Sequence, residues 1–595
     1  MNRFFLISAA ILLAAAGVAQ SQIIFTATLD GAQEVPAVST PAGGTAVVSL
    51  NVRERVAAYL ITYAGLQGQY SAAHFHYGAK GIAGKVAYPI DMGTPSQPSV
   101  FGTIENLPDS VIEKLIHGEI YINIHSTVHP TGEIRGQLIA AVKPTWVGLL
   151  NGANSVPAVL TDGVGTAWAT FDAATGKVHY RATVNGLSSD LTDAHFHYGR
   201  TGENGPVALP LNFINGTTDA EQTIPDSALA KMTRNGIYMN IHTTDNPGGE
   251  IRSQMTLGTL LYAAAELRGD NEVPPVQTDA KGVAIALYNH EGDSLVCFYV
   301  YDALKGDFTA AHIHYAAEGQ NGKVVMPLGF SGVQAEMRNV PDSVVAGLLR
   351  GRLYANVHSS EHTSGEIRGQ LGFAPIMFFS ILTGANEVPP VITAAAGVGL
   401  GSYLPESRSF RYMVLAAGLA DITAAHIHRG LPGIAGPVLH EIALTKSLAS
   451  GVWNVPQASF TDLIRTRTYF NVHSTQHPSG EIRGQILLYG QEVDTPTGVA
   501  EEFGAQLPSA RLRVSPNPAG AGAMLEITPQ TGATGAVRVR VYDAAMREAA
   551  RYDATISGAE TLALPLDASA LPAGAYIICA GGSGWSAAVP FAVER

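Results

Sequence analysis

The chain has 595 residues, of which 46% are hydrophobic and 14% charged, and a formal net charge of -13 at pH 7. That length exceeds what one hydrophobic core organises, so several domains are expected. An acidic balance without any block of Lys or Arg excludes the electrostatic footprint of a nucleic-acid binder. The 64 glycines and 33 prolines favour turn-rich β domains over helical bundles. With only Cys297 and Cys579 present, no disulfide framework holds these domains together.

The N-terminus reads Met1-Asn2-Arg3, then an apolar run from Phe4 to Val18, with Gly17 and Ala19 where a signal peptidase inspects small residues. This predicts a cleaved signal peptide over 1–19. The run is shorter than the roughly 20 residues that span a bilayer, and no later segment qualifies, so no transmembrane segment is expected after cleavage.

Four repeats follow, placed at 23–142, 143–258, 259–374 and 375–490. Their period of about 115 to 120 residues is that of a domain, not of a solenoid unit, and predicts beads on a string. Each repeat opens with a strand and a turn. Glu34, Glu272 and Glu387 precede Val-Pro in that turn, while the second repeat has Ser155 there. Further strands then read as a meander.

Next comes a His-x-His pair: His74/His76, His195/His197, His312/His314 and His426/His428. In a strand, residues i and i+2 share a face, so both imidazoles project together and the large apolar residue between them (Phe75, Phe196, Ile313, Ile427) enters the core. A short helix is predicted after it, with Asp109 or Ser110 as N-cap and Gly118 as the stop in the first repeat. A second strand carries a third histidine: His125, His242, His358 and His473. In the first repeat Tyr121, Asn123 and His125 form one face of it. Gly-Glu-Ile-Arg closes the pattern, with Glu133/Arg135, Glu250/Arg252, Glu366/Arg368 and Glu481/Arg483.

Two readings of these residues stay open. Three imidazoles on adjacent strands form a ligand set for Cu or Zn with one position open. The same histidines, kept neutral, also suit a structural network whose hydrogen-bond partners are Glu133, Arg135, Asn123 and Glu34. The glutamates and arginines then hold second-shell or structural roles. His129, His362 and His477 recur four residues beyond the third histidine, but Asn246 in the second repeat excludes a general ligand there. His117, His179, His290 and His440 read as surface residues. No Gly-x-Ser-x-Gly elbow, His-Glu-x-x-His or phosphate-cradling loop is present, so no catalytic residue is assigned and catalysis would run only through the metal.

After a polar linker at 491–509, residues 510–595 read as a small β-sandwich. Val537 to Tyr542 alternates as a strand, and Leu571 to Ile578 reads as a turn into another.

The motifs Gly-Ala-x-Glu-Val-Pro, Ala-His-[Phe/Ile]-His, Tyr-x-Asn-[Ile/Val]-His and Gly-Glu-Ile-Arg-[Gly/Ser]-Gln resemble the CHRD domain, in four tandem copies over 23–490. The tail, with Ser-Pro-Asn-Pro, Val-Tyr-Asp-Ala and Leu-Pro-Ala-Gly-Ala-Tyr, resembles the C-terminal sorting domain of the type IX secretion system, although its Phe-Ala-Val-Glu-Arg ending departs from the commoner basic strand. The order of elements is also similar to copper/zinc superoxide dismutases, which implies copper-ligand places for His74, His76 and His125 and an Arg135 near them. The absence of a second His/Asp cluster and of a cysteine pair argues against dismutase activity. The resemblances imply an all-β chain: four Greek-key β-sandwich or barrel domains plus the small C-terminal sandwich. They further imply a secreted or cell-surface binding or adhesion protein. Its expected partners are an extracellular protein or glycan and the type IX secretion machinery.

Overall fold

Apolar and β-branched residues at period two, punctuated by Gly and Pro, make each repeat a succession of strands. The computed structural model describes residues 22–92, 98–290, 292–329, 335–419, 421–444, 447–488 and, within the tail, 510–515, 523–529, 534–543, 548–557, 561–571, 574–582 and 585–593. The expected signal peptide and linker lie outside the described residues.

In the first repeat the elements are β1 (Gln22–Asp30), β2 (Gly43–Asn51), β3 (Val56–Ala64), β4 (Tyr70–Tyr77), β5 (Val86–Pro89), β6 (Ser99–Ile104), α1 (Asp109–Ile116), β7 (Ile120–Ser126), β8 (Ile134–Gln137) and β9 (Ile139–Ala140). They form one curled antiparallel sheet of order β5-β4-β7-β8-β1-β2-β3-β6, with β9 beside β1. The passages from β3 to β4 and from β6 to β7 cross between the two halves of the sheet, the Greek-key pathway expected from the sequence. The other three repeats keep this order. The fold is therefore all-β, with four near-barrel domains.

α1 buries Val111, Ile112, Leu115 and Ile116. Its start corrects the sequence reading: Pro108 occupies the cap position without a side-chain bond, and its carbonyl receives the amides of Val111 and Ile112 at 2.9 and 3.1 Å. Asp109 is then the first helical residue, where a negative charge suits the helix dipole. Gly118, at φ +67°, ends the helix as read.

The beads-on-a-string expectation is corrected. β2 and β3 are buried along their whole length, on both faces. Ile24, Val47, Ala58 and Leu60 of the first repeat pack with Val147 and Trp168 of the second. Thr45 and Thr62 meet Thr183 and Thr166 of the second repeat, each at 2.7 Å between hydroxyls. In the third and fourth repeats a separate shared core joins Val283, Ile285 and Phe298 to Phe379, Leu400 and Leu415. The near-continuous apolar run of β3 is the signal of a strand covered on both faces. Repeats thus fold against a neighbour rather than alone.

The tail forms a three-stranded sheet (Ala510–Ser515, Met524–Pro529, Leu562–Pro565) and a four-stranded one (Thr534–Asp543, Glu548–Ser557, Gly574–Gly582, Trp585–Val593). Leu525, Ile527, Val537, Val539, Val541 and Ile578 close the core between them. This is the two-sheet sandwich the alternation of Val537 to Tyr542 predicts.

Candidate metal centre

β4 and β7 are hydrogen-bonded neighbours, with His74 opposite Asn123 and His76 opposite Tyr121. Phe75 points into the core and is 3% exposed, and Phe196, Ile313 and Ile427 are equally buried. The imidazoles project from the other face. That face is not open water, because loops cover it and His76 and His125 are each only 8% exposed. One ring nitrogen from each of His74, His76 and His125 lies within 4.8 Å of the others, and the same holds for His195/His197/His242, His312/His314/His358 and His426/His428/His473.

The hydrogen bonds decide which nitrogens meet. His76 donates from Nδ1 to the Gly84 carbonyl at 3.0 Å, and His125 from Nδ1 to the Pro130 carbonyl at 3.1 Å. A carbonyl only accepts, so both protons sit on Nδ1 and both Nε2 atoms carry a lone pair. His76 Nε2 is buried without a hydrogen-bond partner, as are Nε2 of His197, His314 and His428. His74 approaches from its other nitrogen, Nδ1 lying 3.2 Å from His125 Nε2. The set is therefore Nδ1 of the first histidine and Nε2 of the other two.

Every repeat reproduces this arrangement. Gly205, Gly322 and Gly436 hold the second histidine at 3.0, 2.9 and 2.9 Å. The carbonyls of Pro247, Thr363 and Pro478 hold the third at 2.9, 3.0 and 3.0 Å. The carbonyl clamps fix ring orientation and tautomer, the service that outer-shell groups give to metal-bound imidazole. Burial also holds His74, His76, His125, His197, His312, His314, His358, His426, His428 and His473 below the ordinary imidazole pKa, which favours the neutral, ligating form. The residues present fit Zn or Cu, borderline ions served by imidazole, with a fourth position left for water or a partner's group.

Tyr121 supports the second histidine, a role the sequence reading missed. Its ring stacks on His76 at 4.9 Å and 17°, and the Arg135 guanidinium lies over the same ring, 3.5 Å from its centroid. Its hydroxyl accepts the Gly84 amide at 3.1 Å, so one tyrosine holds both the imidazole and the loop that clamps it. Tyr238, Tyr354 and Tyr469 repeat the stack. The i, i+2, i+4 spacing of Tyr121, Asn123 and His125 carried the signal. A Cβ at Gly84 would fall 1.5 Å from the Tyr77 carbonyl oxygen, so any substitute forces the loop to move.

The glutamates of Gly-Glu-Ile-Arg do other work. Glu133 is fully buried and accepts the Thr40 hydroxyl at 2.6 Å and the Gln67 amide at 2.8 Å. Glu250, Glu366 and Glu481 hold the matching Thr161, Thr278 and Thr393. They tie the opening turn and the strand-3 exit to the sheet. None pairs with the arginine two residues on, and the ring nitrogens are served by backbone carbonyls instead. Arg135, Arg252, Arg368 and Arg483 are 1–2% exposed and donate to loop carbonyls, including Ala79 at 3.0 Å from Arg135. The expected partnership of Glu133, Arg135 and Glu34 with the histidines is thus replaced by carbonyl clamps, which no side-chain motif announces.

Glu34 lies beside Asn123, its Oε2 3.4 Å from Nδ2. Desolvation pushes its pKa up to about 7 against the pull of Arg135, and Glu272 and Glu387 behave alike. Of the histidines read as surface residues, His179 is 38% exposed beside Asp219 at 2.6 Å, while His440 is half-buried and stacks on Trp453 at 5.9 Å.

A family model described as CHRD domain matches residues 25–138, 147–255, 263–371 and 378–486. Chordin from Xenopus laevis is 22% identical over 452 residues, covering 67% of this chain and 45% of its own. Chordin from Danio rerio is 28% identical over 158 residues, covering 24% of this chain and 17% of its own. The chain spans less than half the length of these curated relatives. Among solved structures, Salmonella alpha-2-macroglobulin reacted with methylamine aligns over 93% of this chain and 47% of its own at 9% identity, with a TM-score of 0.14 that carries no argument.

Proposed function

The chain belongs to the CHRD domain family, and from that premise we propose that it is a secreted or cell-surface multi-domain binding protein, each of whose repeats holds a Cu or Zn ion. The observation that carries the metal reading is the bare, buried Nε2 of His76, His197, His314 and His428, each beside two further imidazoles. A buried acceptor without a donor costs about 1–3 kcal/mol, and a bound cation removes that cost. The ion would be held by three neutral imidazoles and would supply Lewis acidity at its remaining position.

Tandem copies raise avidity for a repetitive extracellular protein or glycan even when each contact is weak. The fitting export route uses the N-terminal signal segment and the tail sandwich as a type IX sorting domain, in line with its Ser-Pro-Asn-Pro opening. A tail-deleted chain that still reaches the cell surface or medium would overturn the sorting role. The open metal position also favours a second reading, a metal-dependent enzyme, tested by assaying the loaded protein for redox or hydrolytic turnover.

Metal content after native purification tests the centre. The wild-type full chain should carry Cu or Zn, and His74→Ala with His76→Ala should lose about one quarter of it. Equal metal in the two proteins would overturn the assignment. The full chain is the proper material, since the first repeat shares its core with the second.

A further inference from the structure

One difference between the four centres is the residue before Val-Pro. In the first repeat Asn123 turns its Nδ2 toward Glu34, and in the third the Asn356 amide and Glu272 Oε1 converge on Gly365, where a Cβ would lie 2.6 to 2.7 Å from both. In the fourth, the Asn471 amide and Glu387 Oε1 converge on Gly480, where a Cβ would lie 2.6 to 2.8 Å from both. The acids are 5–8% exposed, and one oxygen of each, Oε1, has no hydrogen-bond partner.

The second repeat has Ser155 instead, and its hydroxyl donates to the Glu250 carbonyl at 3.0 Å. With no acid to face, Asn240 Nδ2 lies 3.5 Å from His242 Nε2 and 3.3 Å from the Gly248 carbonyl. His242 donates its Nδ1 proton to Pro247, so the nitrogen that Asn240 approaches, which also lies 3.3 Å from His195 Nδ1, is the unprotonated, ligating one. An amide N–H directed at that lone pair competes with a metal ion for it.

We infer that Glu34, Glu272 and Glu387 are positioning residues that draw the asparagine amide away from the ligating lone pair, so that the second repeat is the weak metal site of the four. The inference rests on the metal reading above. Asp193, 3.2 Å from His195 Nε2, pulls the other way by stabilising a charged or metal-bound imidazole. Its side chain is 59% exposed, so water screens the effect. The asparagine contact, on the covered side, prevails.

Titration of the chelator-stripped full chain with Zn²⁺ against a chromophoric chelator tests this. Three tight sites and one about tenfold weaker are expected, the size of an outer-shell effect. Asn240→Ala should bring the fourth site into the tight class, and Glu34→Ala should move one site into the weak class while Glu34→Gln keeps it tight. Should Asn240→Ala lose its folded circular dichroism signal, Ser155→Glu makes the same test by restoring the acid. Four equal sites in wild type, or no gain in both Asn240→Ala and Ser155→Glu, would overturn the inference alone. No zinc binding at any site would overturn the metal reading and the inference together.

Discussion

The Nδ1 proton of His76 is held by the Gly84 carbonyl 3.0 Å away, and that bond decides which ring nitrogen is left free. Sequence spacing brings three imidazoles to one face. The tautomers of the second and third histidines, fixed by two backbone carbonyls per repeat, leave two Nε2 lone pairs converging beside Nδ1 of the first.

Gly84→Ala should therefore damage the first centre without touching a ligand. The new methyl meets the Tyr77 carbonyl, so the loop must move and the clamp on His76 opens. A stability loss of about 1–3 kcal/mol, the usual cost of overpacking, should accompany loss of one metal ion per chain. Thermal unfolding and metal analysis check the two effects.

Tyr121 separates stacking from hydrogen bonding. Tyr121→Phe keeps both ring contacts and loses only the acceptor for the Gly84 amide, a cost of about 1 kcal/mol. Tyr121→Ala removes the ring that both His76 and Arg135 pack on and should cost about 3–5 kcal/mol. Denaturant unfolding of the two variants should show that gap.

Glu133 predicts the opposite pattern from a metal ligand. Glu133→Ala strands the Thr40 hydroxyl and the Gln67 amide and should destabilise by about 2–4 kcal/mol. Metal affinity of the protein that remains folded should be unchanged, because Glu133 touches no histidine. A loss of zinc affinity without a loss of stability would contradict its structural role.

Glu34 gives a pH dependence of defined sign. Its folded pKa is raised to about 7 by burial, so between about 4.5 and 7 the native chain keeps a proton that the unfolded chain releases. Its contribution is fully present below 4.5 and lost as pH rises through 7. Relative to Glu34→Gln, metal-free wild type should lose stability across that window, by at most about 1.4 kcal/mol per pH unit. Parallel melting curves of the two proteins from pH 4.5 to 7.5 would contradict this.

Much of this was legible in the sequence because strands write their faces at period two. The alternation around Phe75 and Ile124 separated core from site, and Gly118 marked the helix end. The pairing of repeats was missed although β3 is largely apolar on both faces, since domain-sized periodicity alone suggested independent units. The carbonyl clamps from Gly84 and Pro130 were invisible for a physical reason: backbone acceptors have no residue signature. Glu133 was read toward the histidines because it shares their motif, but it sits at the strand entrance and faces the Thr40 turn.

The central claim is that each repeat binds a metal through three imidazoles. X-ray absorption on the zinc- or copper-loaded full chain tests it most directly. The account predicts about three imidazole nitrogens per metal near 2.0 Å, with the outer-shell scattering of the rings. Metal scattering from oxygen alone, without imidazole, would contradict it.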